Sequence, residues 1–241
     1  MLSRMIDRRA IIVLSAAALL SGCATLPAPA PEQTVPTGEA WFALGTEPFW
    51  SLEITQSRIT YHDAERRRVA EANPGAQTSL NGRRYAGQRM TVDISMQPCS
   101  DGMSDRRYAE TVRLTMDGRT LNGCGGAIVP PAGLHGTNWR IVSIDGSAII
   151  AERGGEMRFE GNRISASAGC NRLTGSFTSD GTRLTASQIA ATRMACPTEI
   201  MGQEMRLLQM LRQSLAIRFT PDGRMMLTGD GGATIVLERI I

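Results

Sequence analysis

The chain has 241 residues, 42% hydrophobic and 20% charged, with a formal net charge of +3. Residues 1–22 carry three Arg and one Asp, so the charge behind them falls to +1, which gives no clustered basic face and excludes nucleic acid as a partner. Only His62 and His135 are available for metal or acid–base work, so the composition points away from a metalloenzyme and implies no metal and no cofactor.

Arg4, Arg8 and Arg9 precede the apolar run Ala10–Leu20. The run is too short for a membrane span of roughly 20 residues and reads as the core of a secretory signal. It ends in Leu20-Ser21-Gly22-Cys23, which resembles the bacterial lipobox. That resemblance implies a lipoprotein signal peptide over 1–22, acylation of Cys23 and a membrane partner reached through an N-terminal lipid anchor. Ala24 after the cysteine, by resemblance to the sorting rules of such lipoproteins, implies the outer membrane, facing the periplasm. Residues 23–39 hold Pro27, Pro29, Pro31 and Pro36 and no periodic apolar face, as an extended linker does.

Behind Cys23 four cysteines remain, Cys99, Cys124, Cys170 and Cys196. An even number in an oxidising compartment points to disulfides, and three connectivities are open. Pairing Cys99 with Cys124 and Cys170 with Cys196 is the expectation, because each bond would then lie inside one of two domains. The absence of Cys-x-x-Cys favours a structural over a redox role.

Short alternating runs fill the rest of the chain: Phe49–Ile54, Met90–Ile94, Thr111–Leu114, Trp139–Ile144, Arg163–Ala166, Ala216–Phe219 and Thr234–Leu237. Asp-Gly pairs at 101, 117, 145, 180, 222 and 230 mark turns between them. Pro197–Gln213 breaks the pattern and reads as a helix, with Ile200, Met201, Glu204, Leu207, Leu208 and Leu211 on its inner side. Glycines and prolines over 127–136 mark a junction. The expected fold is mainly β: two small antiparallel barrel-like domains, 40–126 and 137–241, the second with one α-helix.

Gly136-Thr137-Asn138-Trp139, Ala168-Gly169-Cys170-Asn171-Arg172 and Thr192-Arg193-Met194-Ala195-Cys196-Pro197, in that order, resemble the META domain, also called the HslJ-like domain of bacterial heat-inducible lipoproteins. The resemblance implies a curved sheet or cracked barrel with a helix, on a secreted or lipid-anchored protein linked to heat shock and novobiocin resistance. It implies no reaction. Gly45-Thr46-Glu47-Pro48-Phe49-Trp50, Cys99-Ser100-Asp101-Gly102-Met103-Ser104-Asp105-Arg106 and Gly123-Cys124 resemble an uncharacterised bacterial envelope domain that accompanies META domains.

Four polar residues are candidates for binding. Asp101 and Asp105 follow Cys99 and, with Glu47 and Arg106, could gather around one site for acid–base work or a cation; a structural reading makes Asp101 an Asx-type turn and pairs Asp105 with an Arg. Asn171, Arg172 and Arg193 flank the second pair; the two arginines could grip an anionic group, or the set could brace the sheet against the loop before the helix. No Gly-x-Ser-x-Gly elbow or Walker-type loop occurs. The expected function is that of a non-enzymatic, lipid-anchored envelope protein with a binding or structural role in heat or novobiocin stress, working with an envelope protein partner. The alternative is a lipoprotein resembling the pilots of secretins, holding a lipid or a peptide in a barrel.

Overall fold

Alternation in Phe49–Ile54 sends Trp50, Leu52 and Ile54 to one face of a strand, and all three are buried. The same two-residue period builds most of the fold. In this computed structural model residues 40–150 and 154–240 are described; the signal peptide, Cys23 and the Pro-rich linker expected over 1–39 lie outside them.

Ten strands form the first sheet: β1 (Trp41–Thr46), β2 (Phe49–Ile54), β3 (Arg58–Asp63), β4 (Arg68–Ala72), β5 (Ala76–Ser79), β6 (Gly82–Ala86), β7 (Met90–Ser95), β8 (Cys99–Ser100), β9 (Arg107–Met116) and β10 (Arg119–Val129). They pair antiparallel in the order β4-β3-β2-β1-β10-β9-β7-β6-β5, with β8 on β9. The sheet curls into an open half-barrel around Trp50, Leu52, Ile59, Met90, Val92 and Leu114. Its two edges, β4 and β5, are only three residues apart in the chain, and Glu71 of β4 accepts bonds from the amides of Arg89 (3.0 Å) and Met90 (3.2 Å) at the far hairpin. β10 continues through Val129, so residues 127–129, read from sequence as linker, are strand.

The second sheet holds β11 (Thr137–Ile144), β12 (Ser147–Ala148), β13 (Gly155–Glu160), β14 (Arg163–Ser167), β15 (Arg172–Ser179), β16 (Arg183–Ala191), β17 (Ser214–Phe219), β18 (Met225–Thr228) and β19 (Thr234–Ile240). β11 pairs with β19 as well as β13, so β11 and β13–β19 close an eight-stranded barrel, with β12 outside the ring. Helix α1 (Thr198–Leu211) joins β16 to β17 and adds Leu207, Met210 and Leu211 to the barrel core. The expectation of a mainly β chain with one helix in its second half therefore holds, one half closed and the other open. Trp139, Phe159, Met157, Leu184 and Leu227 fill the barrel interior at 0–1% exposure. That packing argues against an acyl chain inside it.

The helix differs from its sequence reading in register. Gln203 and Met210 face inward, while Met201 is 46% exposed. Gln203 turns in because its amide is fully used: Nε2 donates to the carbonyls of Ile150 (3.0 Å) and Ala168, and Oε1 accepts from Ile150 N (3.0 Å). Hydrogen-bonding demand outweighs hydrophobicity at that position.

Candidate functional site

In the first sheet Gly45 of the Gly45–Trp50 run and Gly123 of β10 have a packing task. A Cβ on Gly123 would stand 2.6 Å from Trp50 Cζ2, and one on Gly45 would overlap the indole. Both glycines thus make room for Trp50, which is 3% exposed. Next to Gly123, Cys124 of β10 is bonded to Cys99 of β8. That bond pins the start of the loop 101–106. Within it the Asp101 carboxylate accepts bonds from Met103 N (3.1 Å), Ser104 N (2.9 Å) and Ser104 Oγ (2.7 Å), while its carbonyl accepts Thr46 Oγ1 (2.9 Å). Burial pushes the Asp101 carboxyl up; the Ser104 hydroxyl, the Ser104 and Met103 amides and the nearby Arg106 outweigh it and hold it below the usual aspartate range. Asp101 braces its own loop.

Asp105 points the other way. It forms an ion pair with Arg239 of β19, whose guanidinium lies 5.9 Å from the centre of the Trp139 ring, within cation–π range. A bulge in β10 between Gly125 and Ile128 turns the end of that strand toward the second sheet. There Ile128 N donates to the Pro221 carbonyl (2.9 Å), and the Ile128 side chain covers Gly223. Gly223 has φ +80°, and a Cβ on it would come within 2.9 Å of Ile128 Cγ2. Between these contacts lies a cleft of about 90 Å³, lined among others by Arg106, Ile128, Pro130, Trp139, Arg224 and Arg239.

Trp139 is placed there by a local chain of bonds. Its indole N–H donates to Thr137 Oγ1 (2.7 Å), and that hydroxyl donates to the Leu134 carbonyl (2.5 Å). On the far side of the barrel the bond between Cys170 and Cys196 ties the start of β15 to the loop before α1. Thr137, Trp139, Cys170 and Cys196 stand in one matched segment of the chain. Residues 132–240 match the META domain family. The match covers the closed barrel and its helix, and the first sheet lies outside it. No curated protein matches the chain. Among solved structures, the chain is similar to an NMR structure of a protein from Burkholderia xenovorans, with 26% identity over 44% of this chain and 83% of that one and a TM-score of 0.38. A second NMR structure gives 23% identity over 44% and 90%, with a TM-score of 0.39. A crystal structure of a protein of unknown function of the DUF3598 family from Nostoc punctiforme PCC 73102 gives 14% identity over 85% and 94%, with a TM-score of 0.18.

Inside the META segment the polar work around Cys170 falls to Asn171 and Glu204. Glu204 of α1, 6% exposed, accepts bonds from Cys170 N (2.8 Å), Asn171 N and Asn171 Nδ2 (2.8 Å). Asn171 Oδ1 accepts Thr192 Oγ1 (3.0 Å) and Met194 N (2.8 Å). Of the three residues weighed in sequence for a brace here, Asn171 supplies it, with Glu204 as its partner, in place of the side chains of Arg172 and Arg193. Both arginines are exposed. Arg172 lines a shallow groove of about 130 Å³ on the outer wall with Glu156, Arg158, Ser165 and Ser167, where Arg158 is bonded to Glu156 (2.9 Å). The four binding candidates therefore split: Arg172 and Arg193 flank the Cys170–Cys196 bond, Asp101 is absorbed in its loop, and Asp105 alone bonds a residue that lines the cleft, Arg239. His135 Nδ1 accepts a bond from Gly161 N (2.8 Å). Sequence reasoning missed Arg239, because the alternation in Thr234–Ile240 marks a strand and nothing in it names a partner in the other half. Among the described residues no group of three or more His, Cys, Asp or Glu side chains converges as a metal-ligand set.

Proposed function

We propose that the chain is a lipid-anchored protein of the bacterial envelope, held by acylated Cys23 at the outer membrane and facing the periplasm, with a binding or structural role and no catalysis. The observation that carries this reading is the pair of disulfides, Cys99–Cys124 and Cys170–Cys196, one in each sheet. Such cross-links persist in oxidising compartments, and the leader ending in Leu20-Ser21-Gly22-Cys23 leads to one. The META match over 132–240 supports a part in heat or novobiocin stress. Asp101, Asn171 and Glu204 are spent on bracing loops, which favours binding over acid–base work.

Cell fractionation tests the anchor. Wild type is expected in the outer-membrane fraction and Cys23→Ser in the soluble periplasm. Recovery of the wild-type chain from the cytosol with its thiols reduced would overturn the reading. Cells lacking the protein are expected to lose viability under heat or novobiocin; unchanged survival and unchanged envelope permeability remove the stress role.

A further inference from the structure

We propose that the cleft between the two sheets binds a small carboxylate carrying an apolar group. This rests on the binding role proposed above and names its ligand class. One side of the cleft is apolar, formed by Ile128, Val129, Pro130 and Pro131; the other carries Arg106, Arg224 and Arg239, the last over the ring of the buried Trp139. Each carboxylate around it has an arginine partner, and two of those partners are the cleft's own Arg224 and Arg239. Asp222 stands 3.3 Å from Arg224, Glu238 is 3.8 Å from Arg140, and Asp105 holds Arg239. Arg106, half-buried, lies near the Asp101 carboxylate but forms no salt bridge with it or with any other described residue. Nε of Arg239 is buried without an acceptor. Trp50 Nε1 and Arg83 Nε are in the same state elsewhere, and only the Arg239 donor belongs to a residue that lines the cleft, where a ligand oxygen would satisfy it.

The remaining positive charge and the apolar wall select the ligand together. A guanidinium fork matches the two oxygens of a carboxylate, and the Pro130-Pro131 wall would cover a short hydrocarbon group. Inorganic phosphate would satisfy the arginines and leave that wall bare. The cleft, about 90 Å³, is sized for a carboxylate head and its first carbons and not for a long chain. A free short-chain acid and the C-terminal carboxylate of a peptide share this chemistry. The site is complete only when both halves are docked, because Arg106 comes from the first and Arg239 and Trp139 from the second.

Isotope-labelled full-length protein in detergent micelles, titrated with butyrate, inorganic phosphate and a dipeptide with a free or amidated C terminus, tests this by NMR. Saturable shifts of the Trp139 indole and Ile128 amide are expected with butyrate and the free dipeptide, and none with the amidated one. Which of the two binds more tightly separates the free acid from the peptide end. Arg106→Gln is expected to weaken binding at least tenfold with the rest of the spectrum unchanged. Arg239→Lys, which keeps the charge beside Asp105 and loses the fork, is expected to weaken it too. Absence of saturation, equal shifts with the amidated peptide, phosphate binding as tightly as butyrate, or full affinity in both variants would each overturn the proposal. A failed titration alongside release of Cys23→Ser from the membrane would remove the ligand and leave the anchored role standing.

Discussion

The Asp101 carboxylate accepts three bonds from two residues of its own loop, so its protonation loosens the segment that also carries Asp105. Its folded value lies below the unfolded one, near 3.9. The stability it contributes is therefore present above the unfolded value and lost as pH falls through the folded one. Ser104→Ala is expected to move the Asp101 titration up toward that of an ordinary aspartate, read from its side-chain carboxyl carbon by NMR, and to make the protein more acid-sensitive. An unmoved titration would show that the Ser104 bond does not set the shift. Of the residues singled out in the sequence, the cysteines were the most legible, because redox compartment and domain division together narrowed their pairing. Asp105 was legible only as half of a pair; its partner is distant in the chain.

Between elements, α1 is latched to the barrel by two neighbouring side chains, Gln203 and Glu204, rather than by an N-cap, since Pro197 makes no side-chain capping bond. Glu204→Gln keeps the shape but turns one acceptor into a donor, set against either the backbone amides of Cys170 and Asn171 or the side-chain NH2 of Asn171. It is expected to cost about 2 kcal/mol, seen as a lower urea midpoint with an unchanged slope. A loss under about 0.5 kcal/mol, the size of an ordinary surface change, would place the latch elsewhere. The turns were readable for a physical reason. Asp117-Gly118 and Asp145-Gly146 have positive φ at both residues, a conformation that favours these residue types. Asp101-Gly102 has the same letters but lies in the loop after β8, where the side chain of Asp101 organises the backbone instead. Strand β5, Ala76-Gln77-Thr78-Ser79, is exposed throughout and buries nothing, so no alternation could announce it. The inward turn of Gln203 was hidden for the opposite reason: its partners are backbone carbonyls of residues 150 and 168, which no helical period encodes.

Across the molecule the two sheets are held together by few contacts: the Ile128–Pro221 backbone bond, Ile128 against Gly223, and the Asp105–Arg239 pair. Asp105 is 55% exposed in its side chain, so the pair is worth about 0.5–1 kcal/mol. Ile128→Asp would set a carboxylate against Gly223, and it is expected to split a single calorimetric unfolding transition into two, one for each sheet. A single unshifted transition would mean that the halves do not depend on this contact. The sequence divided the halves at their glycines and prolines but offered nothing on their docking, which depends on surface shape. The pairing of β11 with β19 has a consequence for assembly. Asn138 lies opposite Ile240, about a hundred residues later, so a chain emerging from its N terminus cannot seal the ring until its last strand arrives. Until then the wall is an unfinished arc with two bare backbone rims, the kind of long-range, slow-forming topology that needs shielding from its neighbours while it waits.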